Sequence, residues 1–288
     1  MDINNLKTFL SVAETGSFSI ASEHLFLTQP AISKRIASLE AELDVALFDR
    51  IGRHVSLTEA GRALLPRARK ILDELEDSRR VIRNLSGKIG GRLSLGTSHH
   101  IGLHRLPSVL SAYHHQYPDV VLDLHFLASE AVWQQVIHGD VELGIVTLPQ
   151  EAESALRYRK VWDDPMDIMI SASSPLAKWT DLNLEILLEQ PAILPEHGTY
   201  TREIIQTAFA KVKKPLSTTA MSTNSLETVR MLVSIGLGWS VLPRTMINRS
   251  LKVLRFPNLQ FKRELGIIWH AGRTLSNAAQ SFTTSIKS

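Results

Sequence analysis

The chain has 288 residues, 44% of them hydrophobic, and a formal net charge of +3 at pH 7. That length predicts about two domains, each with enough apolar residues for a core. Because there is no cysteine, a disulfide framework and a thiolate metal site are excluded. No apolar run approaches the ~20 residues of a membrane-spanning helix, and the N-terminus lacks the pattern of a secretion signal. We therefore expect a cytoplasmic protein with no membrane partner.

Residues 16–61 have the pattern of two short amphipathic helices joined by a tight turn, followed by a basic hairpin. The first helix is predicted from Phe18 to about Leu25. In the second, Thr28 is the expected N-cap, and Pro30 falls in the first turn, where its missing N–H costs nothing. The apolar residues of the second helix recur every three or four positions, and they are Ile32, Ile36, Leu39 and Leu43. That spacing predicts one buried stripe.

The opposite face of the second helix carries small, amide, hydroxyl and cationic side chains. Such a face suits a helix in the DNA major groove, because short side chains allow close approach and polar groups bind base edges and phosphates. The candidate DNA-binding residues of this helix are Gln29, Pro30, Ser33, Lys34 and Arg35. The alternative is an ordinary amphipathic helix with a solvated polar face. The hairpin that follows favours the DNA interpretation.

The hairpin is the predicted wing of a winged helix-turn-helix. Phe48 anchors its start, and Arg50 and Arg53 flank Gly52, where two guanidinium groups beside a turn suit phosphate or minor-groove contact. The alternative is a pair of surface arginines. Residues 1–57 hold five Lys or Arg and seven Asp or Glu, a net charge of −2. Non-specific electrostatic affinity should therefore be modest, and the acidic residues should point away from the duplex.

Residues 58–86 are predicted to form a long linker helix, with Thr58 as N-cap and Gly87 just beyond its end. Apolar residues recur at alternating spacings of four and three, which is a heptad seam that usually pairs with its own copy. The candidate dimerisation residues are Leu64, Ala68, Ile71, Leu75, Ile82 and Leu85. A helix packed within its own domain is the alternative. Pro66 predicts a kink in the first two turns.

Five motifs at consistent spacing make the chain resemble the LysR-type transcriptional regulators. They are GSF at 16–18, TQPAIS at 28–33, SLE at 38–40, LFDR at 47–50 and LTEAG at 57–61. The resemblance implies an N-terminal winged helix-turn-helix, α-helical with a small β wing, a linker helix and an effector domain similar to periplasmic binding proteins. It also implies a double-stranded DNA operator, a homodimer that assembles to a tetramer, and RNA polymerase as a further partner.

The rest of the chain alternates between strand and helix patterns, which predicts two small α/β lobes joined by two crossovers. Residues 87–91 contain three glycines and form the predicted hinge. The effector domain is expected over 92–288, with lobe I at about 92–162 and 266–288 and lobe II at about 163–265. A single helix is predicted over 103–117, and a crossover near 161–167.

Ligands of α/β proteins collect beyond the carboxyl ends of strands, where helix N-termini offer free N–H groups. Two loops have this placement, 96–100 and 222–225, the second with Asn224 as expected N-cap and Glu227 at the capping-box position. The family resemblance assigns Ser98, His99 and Thr223 to the effector site, and more weakly Thr147 and Thr199. Asn224 of the second loop is a further candidate for effector binding. Because these loops contain no Lys or Arg, Arg202 is the candidate countercharge for a small carboxylated metabolite. The alternative is that the hydroxyl residues are only helix caps.

Other function classes find less support in the sequence. His100 and His104 lie at i, i+4 spacing, but no third ligand stands at a recognisable distance, so neither a metal site nor a cofactor is predicted. A solute-binding protein would need an export signal, and an enzyme would need a catalytic constellation that we do not find. We therefore expect a ligand-responsive transcription factor rather than an enzyme.

Overall fold

The computed structural model describes residues 1–51, 54–149, 154–179, 183–214, 216 and 219–286. Contacts between Cα atoms divide the chain into two compact units, Met1–Ser86 and Gly87–Ser288. No described helix combines the length and the apolar character needed to cross a membrane.

The first unit is a winged helix-turn-helix followed by a long helix. Its elements in chain order are α1 Ile3–Thr15, α2 Phe18–His24, α3 Gln29–Leu43, β1 Phe48–Ile51, β2 His54–Leu57 and α4 Glu59–Asn84. The predicted stripe of the second helix is confirmed at Ile32, Ile36 and Leu39, which are fully buried. Leu43, its fourth member, is half-buried and packs against the same core. Phe48 packs edge-on against Phe18 and joins the wing to this core.

Helix α4 begins at the predicted cap, where the Thr58 hydroxyl accepts a hydrogen bond from the N–H of Gly61. The helix continues through Pro66 to Asn84 without a break. Leu64 and Ala68 pack on the core of the first unit, which accounts for these two seam positions without a partner chain. The prediction of a dimer seam therefore depends on the positions beyond Ala68.

The second unit alternates strands and helices, as predicted. Its first half contains β3 Gly91–Thr97, α5 His99–His104, α6 Pro107–Gln116, β4 Val120–Phe126, α7 Ser129–His138 and β5 Leu143–Thr147. Its second half contains β6 Leu156–Ser171, α8 Leu184–Leu188, β7 Ile193–Leu194, α9 Tyr200–Lys211, β8 Met221–Ser222, α10 Leu226–Ser234, β9 Ser240–Pro243, β10 Leu251–Leu254, β11 Phe261–His270 and α11 Asn277–Ser285.

Two long antiparallel strands, β6 and β11, connect the lobes. The main sheet has the order β10-β6-β11-β5-β3-β4, and β9 also pairs with β6. Residues 156–162 of β6 pair with the end of β11 in lobe I, while 166–171 pair with β9 and β10 in lobe II. The predicted crossover near 161–167 is thus the middle of a continuous strand. Separate apolar clusters fill the two lobes.

The prediction of one helix over 103–117 is wrong. The structure has two helices, α5 and α6, separated at Arg105 and Leu106. Helix α5 begins earlier because Ser98 caps it, accepting a hydrogen bond from the N–H of Ile101. Helix α6 starts anew at Pro107, which is suited to the first turn of a helix and unsuited to its interior.

Candidate functional sites

The outward face of α3 presents the residues predicted for DNA contact. Gln29, Pro30 and Lys34 are exposed and Ser33 is half-buried, while Ile32 and Ile36 face the core. Thr28 caps the helix with extended backbone but makes no side-chain cap bond. Polar and cationic groups are therefore displayed along one side of a helix whose other side is fixed by packing.

Arg35 differs from the other predicted DNA contacts. It is half-buried, and its Nη1 donates a hydrogen bond of 3.5 Å to the hydroxyl of Thr8 in α1. Part of its role is therefore to tie α3 to α1. The Arg50 side chain and all of Arg53 lie outside the described residues.

Three acidic residues of this unit are held by internal partners. Glu14 pairs with Arg69 at 2.9 Å, Glu42 contacts the N-terminal ammonium group of Met1, and Glu40 accepts a hydrogen bond of 2.7 Å from the N–H of Leu47. The Glu40 contact fixes the chain as it enters the wing. Glu40 and Glu42 belong to the last turns of α3, and these bonds engage their carboxylates with groups of the unit itself.

Phe26 is a feature of this unit that the sequence analysis missed. It lies in the turn between α2 and α3, its side chain is 95% exposed, and its φ of 52° is unusual for a residue with a side chain. An exposed aromatic ring at this position is available for apolar contact with a partner. The sequence feature that could have identified Phe26 is an apolar residue at a turn position.

The later part of the α4 seam is exposed in the single chain. Ile71, Ile82 and Leu85 are 41%, 68% and 82% exposed, and Leu75 is half-buried. Large apolar groups at heptad spacing are stabilised when a partner covers them. This geometry is what a helix that pairs with a second copy requires.

In the second unit, a cavity of about 440 Å³ opens between the strand ends of the two lobes. Six of the seven predicted effector residues line it, and they are Ser98, His99, Thr147, Thr199, Thr223 and Asn224. Ser98 caps α5, and Thr199 caps α9 by accepting a hydrogen bond from the N–H of Arg202. Loops that are far apart in the sequence therefore converge on one cavity.

The cap of α10 was assigned one residue too early. Ser225, not Asn224, is the N-cap, and its hydroxyl accepts a hydrogen bond from the N–H of Thr228. Glu227 is consequently not at a capping-box position. Its carboxylate instead bonds to Nε2 of His104 at 2.7 Å and to Arg230 at 2.9 Å.

Arg202 does not line the cavity, so its prediction as countercharge lacks structural support. Its side chain is buried and donates hydrogen bonds to the carbonyl oxygen of Pro195 and the hydroxyl of Thr219. Burial lowers the pKa of this guanidinium group. The hydrogen bonds tie α9 to the residue after β7 and to a residue before β8, which is a structural role.

The cation that does line the cavity is Arg263, on the buried face of β11. Its Nε donates to Oδ2 of Asp164 at 3.0 Å, and its Nη1 donates to the hydroxyl of Thr201 at 3.1 Å. Arg105 also bonds Asp164, at 3.0 Å. Burial of Asp164 opposes its ionisation, but Arg263 and Arg105 outweigh burial and hold its pKa below the usual range. Two guanidinium groups thus share one carboxylate.

Two carboxylates also line the cavity, which the sequence analysis did not foresee. Oε1 of Glu130 accepts a hydrogen bond of 2.7 Å from the N–H of Tyr200, and Oε2 of Glu196 accepts one of 2.7 Å from Nδ2 of Asn224. The lining therefore offers hydroxyl groups and one paired cation at some positions and carboxylate acceptors at others. A ligand with both acceptor and donor groups fits this surface better than a simple anion.

His100 lies at the inner wall of the cavity and is almost fully buried. Burial, together with the charge of Arg263, lowers its pKa to about 3, so its imidazole is neutral. Nε2 lies 3.5 Å from the hydroxyl of Thr245 and 3.9 Å from Oδ2 of Asp164. His99, in contrast, is exposed and stacks on Phe126 with ring centroids 5.5 Å apart.

Comparison with known proteins covers both units. Residues 3–62 match the family of bacterial regulatory helix-turn-helix proteins of the lysR type, and residues 86–288 match the LysR substrate binding domain. An uncharacterized HTH-type transcriptional regulator in the ibpB-leuC intergenic region of Azotobacter vinelandii is 68% identical over 107 residues, which are 37% of this chain and 74% of that protein.

Similarity over nearly the whole chain is also found. A probable RuBisCO transcriptional regulator of Cyanophora paradoxa is 30% identical over 293 residues, covering 99% of this chain and 90% of that protein. The structure of full-length OxyR from Pseudomonas aeruginosa has a TM-score of 0.72 at 24% identity, covering 99% of this chain and 94% of that one. At that identity the likeness establishes the fold alone.

Proposed function

Because the chain belongs to the LysR family of bacterial DNA-binding transcriptional regulators, we propose that its DNA binding and transcriptional output respond to a small carboxylated metabolite. The ligand binds in the cavity between the two lobes of the second unit. The observation that supports this most is the convergence of loops 96–100 and 222–225 on one cavity of about 440 Å³. The regulator acts in the cytoplasm, where its operator lies.

DNA is read by the outward face of α3. Gln29, Ser33 and Lys34 make base or phosphate contacts. Pro30 allows the helix to approach the DNA closely, because its ring is compact and it has no N–H. Arg50 and Arg53 of the wing contact phosphate or the minor groove. With a net charge of −2 over residues 1–57, specificity depends on these contacts and on the presence of two copies.

The copies pair along α4 through Ile71, Leu75, Ile82 and Leu85. Exposed apolar side chains at these positions would each be covered by their counterparts in the partner. Two such dimers form a tetramer. RNA polymerase is the further partner, through which the regulator changes transcription. The effector biases the lobe arrangement and so shifts how the paired helices present α3 to the operator.

The ligand carries a carboxylate and at least one hydrogen-bond donor. Hydroxyl groups of Ser98 and Thr223, the imidazole of His99 and the paired guanidinium group of Arg263 form the surface suited to its carboxylate. The first N–H groups of α7 add to it, since Ala128 provides no side-chain cap. The carboxylates of Glu130 and Glu196 suit a hydroxyl or amino group of the ligand.

The direct test is a thermal-shift screen of metabolites on the full-length protein, followed by calorimetry. We expect hydroxy or amino carboxylates to raise the melting temperature and to change operator affinity. Ser98→Ala and Thr223→Ala should abolish the response while leaving basal operator binding intact. Ser276→Ala is the matched control, because Ser276 caps α11 and does not line the cavity.

Two outcomes would refute this proposal. Tight binding only by compounds without a carboxylate would refute the ligand class. An effector response unchanged in both cavity variants would refute the location of the site. The Ser276 control shows how much of any change comes from the loss of a helix cap alone.

A further inference from the structure

A cluster of two imidazoles and one carboxylate lies beside the cavity. His100 and His104 are one helical turn apart on α5, and Glu227 is on α10. Candidate ligand atoms of these three residues all lie within 4.8 Å of one another. Helix α5 belongs to the half of the unit that contains β3, whereas α10 packs on β6 and β9. The cluster therefore joins elements of both lobes.

The hydrogen bonds of the cluster leave one buried ring nitrogen without a partner among the described residues. His104 Nε2 and Glu227 Oε1 are 2.7 Å apart, but Nδ1 of His100 is buried and has no hydrogen-bond partner among the described residues. A buried polar atom without a partner is costly and needs an explanation such as an ion. His100 is 3% exposed, so bulk water does not supply that partner.

The surrounding residues resemble the outer shell of a metal site. Metal-binding histidines usually present their second ring nitrogen to a carboxylate or another acceptor, which fixes the ring. Nε2 of His100 lies 3.9 Å from Asp164 and 3.5 Å from the hydroxyl of Thr245. The second oxygen of Glu227 is held by Arg230 at 2.9 Å. The first oxygen remains directed to His104.

We propose that His100, His104 and Glu227 bind one Zn²⁺ ion, which bridges the two lobes beside the effector cavity. Two imidazoles and one carboxylate are a known zinc ligand set, with the fourth position left to water. The two imidazole nitrogen ligands favour zinc over Mg²⁺ or Ca²⁺, which prefer sites built from oxygen ligands alone. The sequence does not reveal the site because Glu227 is 123 residues from His104.

Bound zinc would link the helices whose caps form part of the cavity. Ser98 caps α5 and Ser225 caps α10, and both line the cavity. A ligand that binds one lobe arrangement more tightly than another shifts the population toward the first. Zinc should therefore favour the arrangement in which α5 and α10 are close, and should stabilise the folded chain by linkage.

The experiment uses untagged, full-length protein from which metal has been removed. Titration with Co²⁺, followed by visible absorption, reports a four-coordinate site, and competition with Zn²⁺ gives its affinity. We expect one Zn²⁺ per chain and a higher melting temperature with zinc. His104→Gln and Glu227→Gln should each weaken binding by about 100-fold, because even loss of an outer-shell partner costs about 10–100-fold.

Both substitutions are at side chains that are about a quarter exposed, 26% for His104 and 24% for Glu227. They should fold, and a melting curve without metal checks this. His115→Gln is the control, since His115 is exposed on α6 and its Nδ1 hydrogen-bonds to the carbonyl oxygen of Ser111 in the same helix. Equal Zn²⁺ affinity in wild type and both cluster variants, or a six-coordinate Co²⁺ spectrum in the wild type, overturns the proposal. Because neither effector nor DNA is present, such a result leaves the proposed regulatory function unaffected.

Discussion

The N–H of Tyr200 donates a 2.7 Å hydrogen bond to Oε1 of Glu130, and this bond connects α9 of one lobe to α7 of the other. Glu130 lies in the first turn of α7, and Tyr200 is the first residue of α9. A carboxylate at a helix N-terminus interacts favourably with the helix dipole. The chain thus fills one potential anion position of the cleft with its own side chain.

Glu130→Ala should remove this connection between the lobes. We expect the free energy of unfolding to fall by about 1–3 kcal/mol, the range for loss of a charge-assisted hydrogen bond that leaves a donor unpaired. The N-terminus of α9 would then be open to an external anion, so affinity for a carboxylated effector should rise. Urea unfolding and calorimetry measure the two effects.

Glu189→Ala is a suitable control for Glu130→Ala, because Glu189 is an exposed carboxylate at the end of α8. It should leave the unfolding midpoint and effector affinity unchanged. If Glu130→Ala behaves like this control, the hydrogen bond between Tyr200 and Glu130 contributes neither to stability nor to effector affinity in solution.

Local sequence signals were sufficient to predict most helices and strands of this fold. Thr58 and Ser276 are caps in the structure, and each could be identified as a hydroxyl residue before a helical pattern. Ser98 also caps a helix, but that helix was predicted to begin only at residue 103. The edge strand β10 was missed because four residues are too few to show a period. Residues near 161–167 were predicted as a crossover rather than as the middle of strand β6, because the strand passes from one lobe to the other and its buried face is not uniform.

The candidate cavity could be predicted only in part. Loops at strand ends were found, since their position follows from alternating strands and helices. Arg263 was missed although it lies at an inward position of β11 between the buried residues Phe261 and Leu265. Its partner Asp164 is 99 residues away, and a single sequence contains no signal for a pairing at that distance.

Substitutions on the exposed face of α3 should change discrimination rather than general affinity. Gln29→Ala, Ser33→Ala or Lys34→Ala should reduce preference for the operator over random DNA by ~1–3 kcal/mol where a base contact is lost. Arg53→Ala should instead weaken binding to both DNAs and lower the salt slope by about 1. Fluorescence anisotropy at several salt concentrations separates these effects. Unchanged operator preference in all three helix variants would exclude α3 as the reading helix.

A glutamate in the exposed part of the α4 seam should prevent association of two chains. In Leu75→Glu or Ile82→Glu, each introduced carboxylate would be buried opposite its copy without a countercharge. Ile82 is 68% exposed in the single chain, so the chain itself should still fold. Lys70→Glu places the same group off the seam and should leave the oligomer intact. Sedimentation velocity that finds the same oligomer in all three variants would contradict pairing through α4.

The adjacent residues Asp163 and Asp164 provide an internal comparison of exposed and buried ion pairs. Asp164 is fully buried between Arg263 and Arg105, whereas the Asp163 side chain is 53% exposed and contacts Lys160 and Lys262. Asp164→Asn leaves a buried guanidinium group without its countercharge, so we expect a loss of about 3–5 kcal/mol in the free energy of unfolding. Asp163→Asn should barely shift the urea midpoint, because solvent screens its pairs. Equal shifts in the two variants would mean that water reaches Asp164 and that Arg263 is not held by a dry ion pair.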